Sequence, residues 1–152
     1  MLKICKRKWA ENKKYLFDEI LNYKGDFEYI DLVKLTVNCI LNRNEPDYEL
    51  TWDVDHITVI DDGDYQGTLL FLIPAKTYQP SEYEYLLTFV GYGSCSGCDS
   101  LLAVHEYCDE MTVEKANRYL ALCRGMITNM IKPYNYGWRC EEEYVLEEMK
   151  ND

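Results

Sequence analysis

Between residues 45 and 114 the chain carries one basic side chain, Lys76, against fifteen acidic ones. That scarcity argues against direct grip on nucleic acid by this region, because phosphate contacts need lysine and arginine. No apolar run approaches the roughly 20 residues that span a bilayer. The basic start, MLKICKRKWAENKK, lacks the apolar stretch and cleavage site of a secretory signal. A cytoplasmic protein without membrane attachment is therefore expected. Also missing are a glycine-rich phosphate loop, a serine elbow and an H-E-x-x-H pair, so no catalytic residue is assigned and a non-enzymatic role is favoured. Seven cysteines without a signal peptide do not make a disulfide framework. They read as reduced thiols, with Cys39 and Cys123 as small buried apolar residues.

What is present suits one domain over 1–152. A chain of this length buries roughly 70% of its unfolded surface. Its 47% hydrophobic content and 14 tyrosines exclude disorder. The net charge of −11 is unevenly spread. Residues 1–24 hold seven basic and three acidic side chains, and residues 115–152 hold six of each. The acidic excess thus lies in the middle of the chain, where it favours a basic partner or a bound cation.

The apolar period sets the elements. Trp9, Leu16, Phe17, Ile20 and Leu21 make one stripe of a helix over 6–23, with most of its lysines off that stripe. Lys24–Gly25 stops it. A second helix, 28–42, buries Ile30, Val33, Val37, Ile40 and Leu41. Strand-like alternation begins at Leu50, Trp52 and Val54 and continues through 57–60, with a bulge where the apolar phase slips. Asp61–Asp62–Gly63–Asp64 is a turn. Residues 68–73 are almost wholly apolar, as in a central strand covered on both faces. Tyr83, Tyr85, Leu87 and Phe89 alternate along a third strand, 83–92. A short helix over 98–106 precedes a longer one, 113–131, with Thr112 as N-cap and a stripe of Val113, Ala116, Leu120, Cys123, Ile127 and Met130. A last short helix is expected in the tail around Trp138 and Glu141–Glu142–Glu143. The fold class is α+β: a three-stranded antiparallel β-meander packed against N-terminal helices and a long C-terminal helix.

Two constellations carry possible chemistry. Cys95-x2-Cys98-x6-His105-x2-Cys108 offers three thiolates and an imidazole, the donor set of a tetrahedral zinc site. The spacing between the two pairs is shorter than in common fingers, and a glycine-rich turn with incidental small residues is the plainer alternative. The same C-x-x-C before a helix permits thiol redox chemistry, although an antiparallel meander is not the thioredoxin arrangement. Cofactor expectations are accordingly none, or zinc. The second constellation is acidic and aromatic: Asp61, Asp62 and Asp64, with Tyr83 and Tyr85, are candidate contacts for a protein partner, since tyrosine supplies contact area at low entropic cost. Solvated turns and cross-strand tyrosine pairing are the ordinary alternatives. Asp53 and Asp55 lack calcium-loop spacing, and His56 reads as a surface histidine.

The stretch DGDYQGTLLFLIPAKTYQPSEYEYLLTFVGYGSCSGCDSLLAV resembles uncharacterised small proteins encoded by bacteriophages and prophages of Gram-positive bacteria. It shares their order of D-Y-Q-G-T, apolar strand, T-Y-Q-P loop, tyrosine-rich strand and G-S-C-S-G-C-D. The resemblance covers roughly residues 61–104, short of His105 and Cys108, and brings no known activity. It implies a phage origin and an accessory role in the host cytoplasm. Two functions are expected from all this. One is binding of a host or phage protein through the acidic face, with inhibition or imitation of nucleic-acid charge as a version of it. The other is zinc or thiol chemistry at Cys95 and Cys98.

Overall fold

The computed structural model describes residues 1–43, 50–64, 66–95 and 97–133. Helix α1 is Lys3–Leu21 and α2 is Tyr29–Thr36, continued by a widened turn, Val37–Leu41. Strands β1 (Thr58–Gly63), β2 (Gly67–Pro74) and β3 (Tyr85–Tyr92) follow, then α3 (Ser100–Tyr107) and α4 (Val113–Thr128). The fold is α+β, and the sheet is the expected antiparallel meander in the order β1-β2-β3, with β2 central. The tail helix expected near Trp138 lies outside the described residues.

Trp9, Leu16 and Ile20 are buried as the stripe on α1 requires, and Val33, Val37, Ile40 and Leu41 meet them from α2 and its extension. On α4, Ala116, Tyr119, Cys123, Met126 and Ile127 close the core against α1, α2 and β3. Thr112 caps this helix, its hydroxyl accepting from the Lys115 amide at 3.2 Å. Val113, counted in the stripe by periodicity, is 57% exposed, while Lys115 and Ala116 in the same first turn are the residues turned inward.

Lys8 departs from the expected solvated lysine face. It is buried, and its ammonium donates to the Leu41 carbonyl at 2.8 Å. The Asn12 amide donates likewise to the Ile40 carbonyl at 3.1 Å. Both acceptors belong to the last turn beyond α2, where helical carbonyls lose their own partners. Lys115 on α4 does the same, donating to the Cys108 carbonyl at 2.7 Å and pairing with Asp26 at 3.3 Å.

The first strand is shorter than alternation implies. Trp52 makes a single bridge to Ala75, after which the Asp53 carboxylate accepts from the Asp55 amide at 3.0 Å and turns the chain through Val54–His56. The apolar phase slip is therefore a capped turn of 3-10 helix rather than a bulge. Beyond the strand, Gly63 and Gly67 face each other across the hairpin. A Cβ on Gly63 would come within 2.3 Å of the Gln66 carbonyl oxygen, so glycine is required there.

Strand β2 is covered on one face only by the described elements. Phe71 and Ile73 are buried beneath the helices beside Leu86 and Thr88 of β3, and the Thr88 hydroxyl donates to the Met126 carbonyl at 2.7 Å. The opposite face carries Ile60, Leu70 and Phe89 in one register row, and Thr58, Leu72 and Leu87 in the next. Ile60 is 48% and Phe89 39% exposed. The outer edge of β3 is closed by the Leu87–Ile131 bridge and by the Asn129 amide on the Phe89 carbonyl. Strand β1 has no second strand neighbour among the described residues, and all six of its residues are exposed.

This division of the sheet makes an expected contrast. Phe71→Ala should cost about 3–5 kcal/mol by urea unfolding, the usual loss for emptying a buried aromatic site. Phe89→Ser should cost less than about 1 kcal/mol, as for a surface change. Equal losses would mean that both faces are covered in solution.

Candidate functional site

The two cysteines of the C-x-x-C motif come together. Cys95 and Cys98 are exposed, and their Sγ atoms lie 3.0 Å apart. They sit on a tight turn in which the Cys98 and Asp99 amides both donate to the Cys95 carbonyl, at 3.0 and 2.9 Å. The turn follows the end of β3 and leads directly into α3.

Asp99 fastens it. This carboxylate is buried, yet it accepts the Tyr29 hydroxyl at 2.6 Å, the Gly93 amide at 3.0 Å, and the Leu101 and Leu102 amides at 3.0 and 3.3 Å. The end of β3, the start of α3 and the start of α2 thereby share one acceptor. Burial acts to raise the Asp99 pKa, but the Tyr29 hydroxyl and the three amides outweigh it and hold the group below the usual carboxylate value. The same contact, with burial as its larger companion, raises the Tyr29 pKa. Because Asp99 occupies the N-terminus of α3, the helix end is turned toward this carboxylate rather than toward the thiols.

His105 and Cys108 take other partners. The His105 Nε2–H donates to the Phe27 carbonyl at 2.8 Å, and its ring lies beside Tyr119. Cys108 donates to the Glu110 carbonyl at 3.0 Å. Helix α3 ends at Tyr107 and Cys108 is extended, so the one-face relation expected of residues three apart on a helix does not hold. Among the described residues no group of three or more His, Cys, Asp or Glu side chains is arranged to hold a metal. Of the four candidate ligands, the structure joins the first two only.

The acidic and aromatic candidates are also divided. Asp61 lies on the helix-covered side of the sheet, where its carboxylate accepts the Tyr92 hydroxyl at 2.5 Å. That bond is the main reason the Tyr92 phenol is pushed up to about 12. Asp61, Tyr92, Tyr29, Leu69, Asp99 and His105 line a groove of about 360 Å³ beside the cysteine turn. Asp62 lies on the open face and Asp64 in the turn, both exposed. Tyr85 is at the other end of that face, opposite Pro74. Tyr83 precedes the strand and lines a separate, smaller cavity of about 140 Å³ with Trp52, Leu86 and Lys8. His56 is a surface histidine as expected, paired with Asp53 at 2.7 Å.

Asp99 and Tyr29 were not among the candidate site residues. A signal for Asp99 was present: an Asp immediately before the helical run SLLAVHEY is an N-cap pattern. Nothing local marks Tyr29, which reaches Asp99 across 70 positions of sequence. Comparison with known protein families, with curated proteins and with solved structures finds no match to this chain.

Asp99 yields a pH-dependent expectation. Its folded pKa is depressed, so its stabilisation is present above the unfolded value near pH 4 and is lost as pH falls through the lower folded value. Asp99→Ala should cost at least the roughly 1–2 kcal/mol of a lost cap, since Tyr29 and Gly93 are also deprived. The gap between wild type and Asp99→Asn in urea unfolding should narrow between pH 7 and pH 2. A gap independent of pH would show that the carboxylate charge is not what the site uses.

Proposed function

We propose that the chain is a small acidic accessory protein that binds a basic protein through the open face and free edge of its sheet. The observation that carries this reading is the register row Ile60–Leu70–Phe89, apolar across three strands, bare of described elements, and flanked by Asp62 and Asp64. A docking surface of this make has an apolar centre that supplies affinity and an acidic rim that supplies speed and choice of partner. Tyr85 extends the centre at its far end. In a phage-encoded chain of the kind the central stretch resembles, such a partner is a host or phage protein, and an acidic face that competes for a nucleic-acid-binding surface inhibits it by charge imitation. Among the described residues no helix is long and apolar enough to cross a membrane.

The aspartates serve a second purpose compatible with this. A free strand edge invites pairing with another copy, and like charges along β1 oppose that pairing. The basic partner is therefore favoured over self-association.

Affinity capture from bacterial lysate, followed by kinetics on the recovered partner, tests the proposal. Binding should weaken as salt rises through about 0.1–0.5 M, where the Debye length falls to a few ångströms. The double variant Asp62→Asn, Asp64→Asn should slow association several-fold with little change in release, while Asp61→Asn, on the helix-covered side, should not. Ile60→Ser with Phe89→Ser should instead speed release about tenfold or more. Recovery of no basic partner, or of one indifferent to salt and to both sets of changes, would sink the proposal.

A further inference from the structure

Cys95 and Cys98 differ from every other described cysteine. Burial pushes the Cys5 and Cys123 thiols up to about 12 and Cys39 to about 11, which leaves them inert. Cys108 is half-buried and engaged with the Glu110 carbonyl. Among the described cysteines only Cys95 and Cys98 are both exposed and adjacent, 3.0 Å between sulfurs. Their turn is braced on two sides. Asp99 holds its exit, and Gly93 lies under Cys98 so closely that a Cβ there would be 2.6 Å from the Cys98 sulfur and 2.7 Å from its carbonyl oxygen. The absent side chain at Gly93 is what lets Cys98 fold back toward Cys95.

We infer that Cys95 and Cys98 form a reversible dithiol–disulfide couple that exchanges with low-molecular-weight disulfides of the glutathione type. A disulfide bond is about 2.05 Å long, so closure draws the sulfurs together by about an ångström, within the reach of side-chain rotation on a turn whose backbone Asp99 already fixes. Exchange proceeds through two displacements. The Cys98 thiolate attacks one sulfur of glutathione disulfide, forming a Cys98–glutathione bond and releasing a glutathione thiolate, which takes up the proton that Cys98 gave to solvent. The Cys95 thiolate then attacks the Cys98 sulfur, forming the Cys95–Cys98 bond and releasing the second glutathione. The protein loses two electrons and two protons, and the small disulfide gains both. Cys98 is the first nucleophile because the Cys95 side chain 3.0 Å away, with contacts from the Cys95 backbone and Ser94, lowers its thiol pKa. The helix end contributes little, being occupied by Asp99. The couple is thus set by proximity rather than by the helix activation of thioredoxin-like sites.

Intact-mass and peptide mapping of the full chain, equilibrated in glutathione buffers from reducing to oxidising and then alkylated, test this. The expected result is one disulfide, Cys95 to Cys98, reversed by excess reduced glutathione, with the buried cysteines unmodified. Cys95→Ser should trap a stable glutathione adduct on Cys98. Cys98→Ser should form its adduct on Cys95 at least tenfold more slowly. Gly93→Ala, with folding checked by circular dichroism, should slow ring closure at least tenfold. Two independent glutathione adducts on the wild type, a disulfide joining any other pair, or one zinc per chain that shields both thiols from glutathione disulfide would each overturn the inference.

Discussion

One buried carboxylate organises the end of the molecule that carries Cys95 and Cys98. Asp99 receives the Tyr29 hydroxyl and three backbone amides, which belong to α2, to the residue after β3, and to the first turn of α3. A buried charge is tolerable only when its lone pairs are occupied by well-placed donors, and here four donors occupy them. The groove beside the sheet and the turn that carries Cys95 and Cys98 both take their shape from that arrangement. Asp61 and Tyr92 extend it, joining the first and third strands by a side-chain hydrogen bond across β2.

Strand β2 poses the second constraint. Its apolar run leaves no polar face, so a sheet with helices on one side still shows leucine and phenylalanine on the other. Phe71 and Ile73 meet the helices, while Leu70, Leu72, Leu87 and Phe89 form the opposite surface. Such a surface would invite edge-to-edge or face-to-face association of copies. Aspartates at the free β1 edge oppose it, because each added copy would bring like charges together. The proposed basic partner would relieve a repulsion that a second copy would double.

The helical layer solves a related problem with cations. Where α2 loosens into the turn Val37–Leu41, carbonyls face the interior, and Lys8 and Asn12 from α1 reach them. Lys115 reaches the Cys108 carbonyl in the same way. Each lysine buries an apolar stem and ends on an oxygen that would otherwise be unsatisfied. Lys8 of the N-terminal helix is therefore a structural residue rather than part of a solvated basic face.

The sequence by itself determined the α+β class, the order of elements, the antiparallel meander with its central strand, and the turn at Cys95 and Cys98. These follow from local quantities: apolar periods of two and 3.6, a Thr112 cap, glycines where backbones nearly touch. It also determined that the middle of the chain is acidic, since charge counting needs no coordinates. Tertiary structure alone decided which alternate residues of β3 face the core, because both Tyr85–Leu87–Phe89 and the intervening Leu86–Val90 are apolar enough to be buried. It alone separated His105 and Cys108 from the cysteine pair, since a spacing along the chain fixes neighbours within an element and not what lies opposite. The Phe27 carbonyl, 78 positions away, took the histidine that spacing had offered to a metal. Lys8 and Tyr29 were settled in the same manner. A polar side chain goes wherever the folded chain leaves a buried partner unsatisfied, and that partner exists only once the elements have packed.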